Sequence, residues 1–327
     1  MPFGTVTLND GKKIPAIAFG TGSIYKFQDV TQLVHQALDA GFWHIDTAQY
    51  YQTEAYIGQA IHESGLARDE LYITTKLGPG EVHVEEQLKK SLANLRVSYL
   101  DLYLIHQPNY TPDLDGVWRQ FEALQKDGLI KFVILSSADP VSPSFHRSIG
   151  VSNFSLEQLQ SLVKNGRVLP TINQIELHPY NYARQKAIIE WAAERGIVTE
   201  AYSSLSSITK FPGGPVDAPV AAAAERLGIT PTQVLLSWVR AKGAVIVTTT
   251  SSKARLQEYL AVGDLPALPE SDIAAIDAAG ARGPPGILDY RALSVRGASL
   301  SLKTALLALL VLVFSAGLLF RGCHRLD

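Results

Sequence analysis

Four residues in the first third of this 327-residue chain could move a proton between them: Asp46, Tyr51, Lys76 and His106. Three of them close short apolar runs, in His44-Ile45-Asp46, Ile73-Thr74-Thr75-Lys76 and Leu104-Ile105-His106, and Tyr51 follows Asp46 in the next connection. A charged group ending an apolar run is costly unless it is paired. One lysine at such a position is ordinarily a solvated rim charge; matching polar ends on successive runs point to a shared site. Reducing a carbonyl requires a hydride on carbon and a proton on oxygen. A phenol holds its proton at neutral pH, and a neighbouring ammonium favours the phenolate and so lowers the pKa. On that chemistry Tyr51 is the expected general acid, Lys76 its tuner, Asp46 the carboxylate that compensates and directs Lys76, and His106 a donor that orients the carbonyl oxygen.

Side chains from separate runs converge only if the elements carrying them are parallel. Apolar, β-branched runs recur at 16–21, 44–47, 71–76, 100–106, 149–151, 171–177, 197–202 and 244–248. Between them lie segments with apolar residues three or four apart, such as Val30-Leu33-Val34-Ala37-Leu38 and Val117-Phe121-Leu124. Eight strands alternating with helices imply parallel pairing through crossovers, and the count and length predict an α/β fold, a (β/α)8 TIM barrel. In such a barrel the C-terminal strand ends share one mouth, where Asp46, Lys76 and His106 would meet. No G-x-G-x-x-G follows the first strand, which argues against a doubly wound nucleotide-binding sheet. Ahead of it, 4–8 and 12–14 flank Asn9-Asp10-Gly11, a hairpin expected to plug the N-terminal mouth. The segment 132–147 breaks the rhythm: without it, Ile130-Lys131 would run into Ser148-Ile149-Gly150 as an ordinary helix-to-strand connection. It reads as an insertion on the face opposite the expected site, or equally as a splicing or gene-model artefact.

Composition narrows the partners. A formal charge of −2 gives no basic field for nucleic acid, and a lone cysteine, Cys323, forms no internal disulfide and no Cys cluster for zinc. Glu176 and His178 close another strand, in Ile175-Glu176-Leu177-His178, but without a third ligand they do not predict a metal site. The first residues lack the apolar core of a signal peptide. The barrel is expected to occupy 1–290, a linker 291–303, and an uncharged apolar stretch 304–320, flanked by Lys303 and Arg321. At 1.5 Å per residue that stretch reaches about 25 Å as a helix, a candidate transmembrane anchor of endoplasmic-reticulum thickness that leaves the barrel in the cytosol.

Several motifs then fall in order. Asp46-Thr47-Ala48-Gln49-Tyr50-Tyr51-Gln52-Thr53-Glu54, Thr75-Lys76, Leu104-Ile105-His106, Gly150-Val151-Ser152-Asn153-Phe154 and Asn173-Gln174-Ile175-Glu176 together resemble the aldo-keto reductases, from about residue 6 to 265 apart from 132–147. The resemblance implies a Tyr–Lys–Asp–His tetrad at Tyr51, Lys76, Asp46 and His106. It also implies a nicotinamide cofactor, NADPH with NADH as an option, lying extended across the barrel mouth. Ser152, Asn153 and Gln174 would hold the carboxamide and Tyr202 would stack under the nicotinamide. Ser203, Leu205 and Ser207 would line the pyrophosphate path, and Thr249, Thr250, Ser251, Arg255 and Glu258 the adenosine end, with Lys253 nearby. Thr249 stands where NADPH-using relatives commonly carry lysine, which leaves Arg255 as the group able to fork onto a 2′-phosphate. Gly22, Gly78 and Gln107 stand where many relatives carry tryptophan, and with Tyr25 and Tyr50 nearby they predict an open, shallow substrate pocket. The expected activity is reduction of an aldehyde or ketone to an alcohol. The rival reading is a nicotinamide-binding regulatory subunit of low turnover, against which the complete tetrad counts.

Overall fold

In the computed structural model, which describes residues 3–126 and 148–285, strand interiors read in two phases. An antiparallel pair, β1 (Thr5–Thr7) and β2 (Lys13–Pro15), comes first. Eight parallel strands follow: β3 (Ile17–Gly20), β4 (His44–Asp46), β5 (Tyr72–Leu77), β6 (Leu102–Ile105), β7 (Ser148–Ser152), β8 (Ile172–Glu176), β9 (Val198–Tyr202) and β10 (Val245–Thr248). Each pairs with the next and β10 closes on β3, so the sheet is a barrel. All eight runs expected from the sequence are strands of this ring.

Side chains alternate across a strand, so one parity of each strand faces the helices and the other the barrel axis. Ile45, Ile73, Tyr103, Ile105, Val151, Ile175 and Ala201 belong to the outer core under the helices. The opposite parity fills the axis. At its lower end Tyr72, Leu102, Leu104, Ile172 and Val245 pack with Leu8 and Ile14 of the hairpin. Asn9 Nδ2 donates to the Pro170 carbonyl (3.0 Å) and Ser148 Oγ to Asp10 Oδ2 (2.7 Å), so the hairpin seals the N-terminal mouth as expected. Higher up, the same parity supplies His44, Asp46, Thr74, Lys76, Gln174 and Glu200, all buried. The barrel therefore carries an apolar plug below and a polar layer above.

Helices wrap this ring: α1 (Thr31–Ala40), α2 (Glu54–Ser64), α3 (Val84–Leu95), α4 (Leu114–Lys126), α5 (Leu156–Asn165), α6 (Pro179–Ala193), the short α7 (Ser206–Thr209), α8 (Asp217–Leu227), α9 (Pro231–Ala241), α10 (Lys253–Ala261) and α11 (Glu270–Gly280). The apolar spacing read from the sequence is their buried stripe: Val34, Ala37 and Leu38 on α1, and Val117, Trp118 and Phe121 on α4. Local chemistry sets several starts. Ser155 and Thr230 cap α5 and α9, each accepting from the backbone of a glutamine three residues on, whose side chain returns to the cap backbone. The insertion 132–147, the linker 291–303 and the apolar stretch 304–320 lie outside the described residues. Among the described residues, no helix is long and apolar enough to cross a membrane.

Candidate active site

The C-terminal strand ends open on a cavity of about 380 Å³ lined by Asp46, Tyr51, His106, Ser152, Asn153, Gln174, Tyr202, Ser203, Leu205 and Thr249, together with Gly22, Lys26, Gln107 and Lys210. The structure thus gathers most of the expected site into one space. The tetrad is built from β4, β5, the residue after β6, and a 3₁₀ turn at Gln49–Tyr51 that carries Tyr51. Lys76 is fully buried. Its Nζ donates to both Asp46 oxygens (2.8 Å each) and to the Thr47 carbonyl (2.9 Å). Burial pulls its ammonium down, but Asp46, Tyr51 and Glu200 together lift it above the usual lysine value.

Lys76 Nζ lies 5.4 Å from the centre of the Tyr51 ring, and the ring meets His106 edge-on at 5.5 Å. Tyr51 corrects one expectation. Its pKa is raised rather than lowered, because burial of the phenol outweighs the opposing pull of Lys76. The phenol is therefore fully protonated at neutral pH, and Lys76 acts on the phenolate that forms only as the proton leaves. His106 is driven down to about 3 by burial and by the charges of Lys76 and Lys26, so it meets a ligand as neutral imidazole.

Close approach decides Gly22. A Cβ there would lie 3.0 Å from two carbons of the Tyr51 ring and 3.2 Å from its hydroxyl. The small residue that reads as an open pocket wall also makes room for Tyr51.

The groups expected to hold a carboxamide are bonded to one another. Ser152 Oγ donates to the Gln174 carbonyl (2.9 Å), and Asn153 Nδ2 to the His106 carbonyl (3.0 Å). Tyr202 Oη donates to Asn153 Oδ1 (2.7 Å). Asn153 holds φ +62°, a left-handed conformation that asparagine tolerates better than most residues. Gln174 Nε2 donates to Asp46 Oδ2 (2.9 Å) and Glu200 Oε2 (2.7 Å), which commits both amide protons inward and leaves Oε1 as what it can offer a ligand. An amide nitrogen is the complement of that acceptor.

Glu200 was missed by the sequence reading, as was His44. Glu200 is fully buried, its Oε1 has no hydrogen-bond partner, and His44 Nε2 lies 3.9 Å from it while bonding Thr74 Oγ1 (2.9 Å). Burial, then the Asp46 charge, push Glu200 up to about 8, against Gln174 and Lys76. Burial sends His44 down to about 3. The signal was in the strands: Glu200 shares the axial parity of Tyr202, and His44 that of Asp46.

Beyond the mouth, Ser207 Oγ and Thr249 Oγ1 are buried without a hydrogen-bond partner. Such hydroxyls are costly unless something outside the chain satisfies them, and both lie on the expected cofactor path. Thr250 Oγ1 accepts from Ser252 N (3.1 Å) and Ser252 caps α10, so Ser251, Lys253 and Arg255 stand exposed around a helix N-terminus, a natural position for a phosphate. Glu258 Oε1 instead accepts from Thr230 Oγ1. Glu176 meets His178 at 3.6 Å and Lys210 at 3.9 Å; among the described residues no three or more His, Cys, Asp or Glu gather for a metal.

A sequence profile described as the Aldo/keto reductase family matches residues 3–142 and 146–281. The chain belongs to this family. The reductase is 34% identical over 262 residues to an NAD/NADP-dependent indole-3-acetaldehyde reductase of Schizosaccharomyces pombe, covering 76% of this chain and 86% of that one. It is 36% identical over 264 residues to a methylglyoxal reductase, DkgA, of Salmonella typhimurium, covering 79% and 87%. Among solved structures it matches a Bombyx mori aldo-keto reductase in complex with NADP, at TM-score 0.72 and 31% identity over 84% of this chain and 92% of that one. A Brucella melitensis aldo/keto reductase matches at TM-score 0.71 and 32% identity, over 84% and 98%. The chain is therefore an NAD(P)H-dependent reductase of the (β/α)8 barrel type.

Proposed function

We propose that the reductase converts an aldehyde or ketone to an alcohol with Tyr51 as the proton donor. The observation that carries this is the Lys76 ammonium, locked onto Asp46 and placed beside the Tyr51 ring, with neutral His106 on the same ring. When bound, reduced nicotinamide supplies the hydride. Everything else falls to the chain. His106 donates to the carbonyl oxygen and aims it at the Tyr51 hydroxyl. Tyr51 releases its proton to that oxygen, and Lys76 stabilises the phenolate left behind. Asp46 keeps Lys76 charged inside the barrel.

Ser152, Asn153 and Gln174 would hold the carboxamide, Tyr202 would lie against the ring, Ser203, Leu205 and Ser207 would line the phosphate path, and Thr249 would begin the adenosine end. The unpartnered hydroxyls of Ser207 and Thr249 support those two placements. Arg255, with Thr250 and Ser251, supports NADPH over NADH, while Glu258 is engaged by Thr230. The relatives' named substrates support a small aldehyde, and their names favour turnover over a purely regulatory role. Membrane attachment through 304–320 is proposed from its apolar sequence alone.

Tyr51→Phe tests the mechanism, since it removes only the proton donor. The expected loss in kcat is about 10²–10⁴ with NADPH affinity nearly intact. Near-normal turnover of the variant would remove Tyr51 from the role.

A further inference from the structure

Tyr51 works from a connection, whereas its partners stand on the ring. Asp46 ends β4 and Lys76 lies on β5, but Tyr51 rides on 47–53, between β4 and α2. The base of that connection is fixed. The Thr47 and Thr53 hydroxyls lie 3.0 Å apart and both meet that of Thr21, at 2.9 and 3.0 Å, with all three residues buried. The tip is a single 3₁₀ turn, Gln49–Tyr51, a geometry too weakly bonded to set its own direction. From one side Phe27 N donates to the Tyr51 carbonyl (2.8 Å).

From the other side one side chain ties the tip down. Gln49 Oε1 accepts from Gly78 N (2.7 Å), and Gln49 Nε2 donates to the Gln87 carbonyl (2.8 Å) and to Ser91 Oγ (2.9 Å). Both amide protons and the oxygen are thereby engaged. Gly78 directly follows β5, two residues beyond Lys76, and Gln87 and Ser91 belong to α3. The amide therefore bolts the Tyr51 turn to the end of the strand that carries Lys76 and to the next helix. The fit is close, since a Cβ on Gly78 would lie 3.2 Å from Gln49 Oε1. Gln49 borders a separate groove, with Tyr50, Pro79 and Asn94, and not the cavity of the tetrad.

We propose that Gln49 is a positioning residue for proton transfer: it acts through Tyr51 rather than on the substrate, by fixing the place of the phenol relative to Lys76. This rests on the reading of Tyr51 as the proton donor. Lys76 is itself held by Asp46 and the Thr47 carbonyl, so it does not follow a phenol that drifts. Its attraction for the phenolate weakens with distance, steeply in a site shielded from water. A misplacement of about 1 Å can cost on the order of a hundredfold in rate. Because the Phe27 tie would remain, the loss expected on freeing Gln49 is smaller, about tenfold. The fold itself does not depend on the amide: Gly78 and Gln87 border the open groove, where water can take over the partners left behind.

The test is a double-mutant cycle on the full chain, read as the single-turnover rate of butanal reduction by NADPH. Gln49→Met keeps the reach of the side chain and removes its hydrogen bonds. Alone it should slow the reaction about tenfold and leave the Kd of NADPH nearly unchanged. In the Tyr51→Phe background the same substitution should cost almost nothing, because the donor it positions is already gone. Ser91→Ala reaches the same contact from α3, leaves Gln49 in place, and should give a smaller loss that also vanishes in that background. Losses of equal size with and without Tyr51→Phe would overturn the proposal, since a general disturbance of the fold or of cofactor binding adds in both. Parental rates in Gln49→Met and Ser91→Ala would overturn it as well. A near-parental rate in Tyr51→Phe alone would instead remove the proton-donor reading on which the proposal stands.

Discussion

Glu200 and Asp46 share one amide nitrogen, that of Gln174, and two negative charges at that separation inside a barrel are not cheaply held. Lys76 claims Asp46, so Glu200 is the carboxyl that stays protonated, up to about pH 8. Its folded pKa is above the unfolded value, so between about 4.5 and 8 the folded chain binds more protons and stability falls as pH rises. His44, held at about 3, contributes in the opposite sense, but only between there and its ordinary value of 6.5. Glu200→Gln keeps the acceptor for Gln174 and removes the ionisation. Its melting temperature is expected to decline less than that of the parent between pH 6.5 and 8, and parallel curves would show that Glu200 does not titrate there. Arg255→Ala belongs to the same scale: Kd should rise about tenfold for NADPH and little for NADH, because only the former has a 2′-phosphate for the guanidinium. Equal rises in two titrations would place Arg255 elsewhere. At this scale the meeting of Asp46, Lys76 and His106 was legible because polar residues ended apolar runs. Glu200 and His44 were not seen because they lie inside such runs, where only strict two-residue parity separates an axial side chain from an outward one. The direction of the Tyr51 shift was also missed, since no sequence pattern reports how deeply a phenol is buried.

Between elements, contact distance sets what the chain tolerates. α2 crosses α3 at Gly58, where a Cβ would lie 2.3 Å from the Asn94 carbonyl oxygen and 2.8 Å from that of Leu95. On an exposed helix, Gly→Ala would stabilise by about 0.5–1 kcal/mol, but here the backbone contact reverses the sign. Gly58→Ala is expected to destabilise by about 1–3 kcal/mol, measured as a lower urea midpoint at unchanged slope. A midpoint at or above the parental one would mean that α2 can shift. The strands themselves were readable to within a residue or two, because a barrel strand buried on both faces is an uninterrupted apolar run. The Gly58 crossing was not, since a close approach depends on which two helices neighbour one another, and that is decided by the closed ring.

At the scale of the whole molecule, the described residues, 3–126 and 148–285, belong to one compact unit around the ring. If 304–320 anchors the reductase, the full chain should sediment with membranes and resist carbonate extraction. Its recovery in the supernatant without detergent would refute the anchor. The ring carries a different consequence, for the order in which the molecule can be made. β3 pairs with β4 on one side and β10 on the other, Ile17 standing opposite Ile246. As the chain leaves the ribosome, β3 emerges early but its second neighbour is among the last elements translated. Until then the growing sheet has two open edges, each a row of unpaired amides and carbonyls able to recruit a strand from another nascent chain. Even the hairpin waits, because Pro170 and Ser148, which tie it down, arrive far downstream. For most of its synthesis the chain is thus an unfinished sheet, and its yield in a cell should depend on chaperones that shield those edges more than on the stability of the closed barrel.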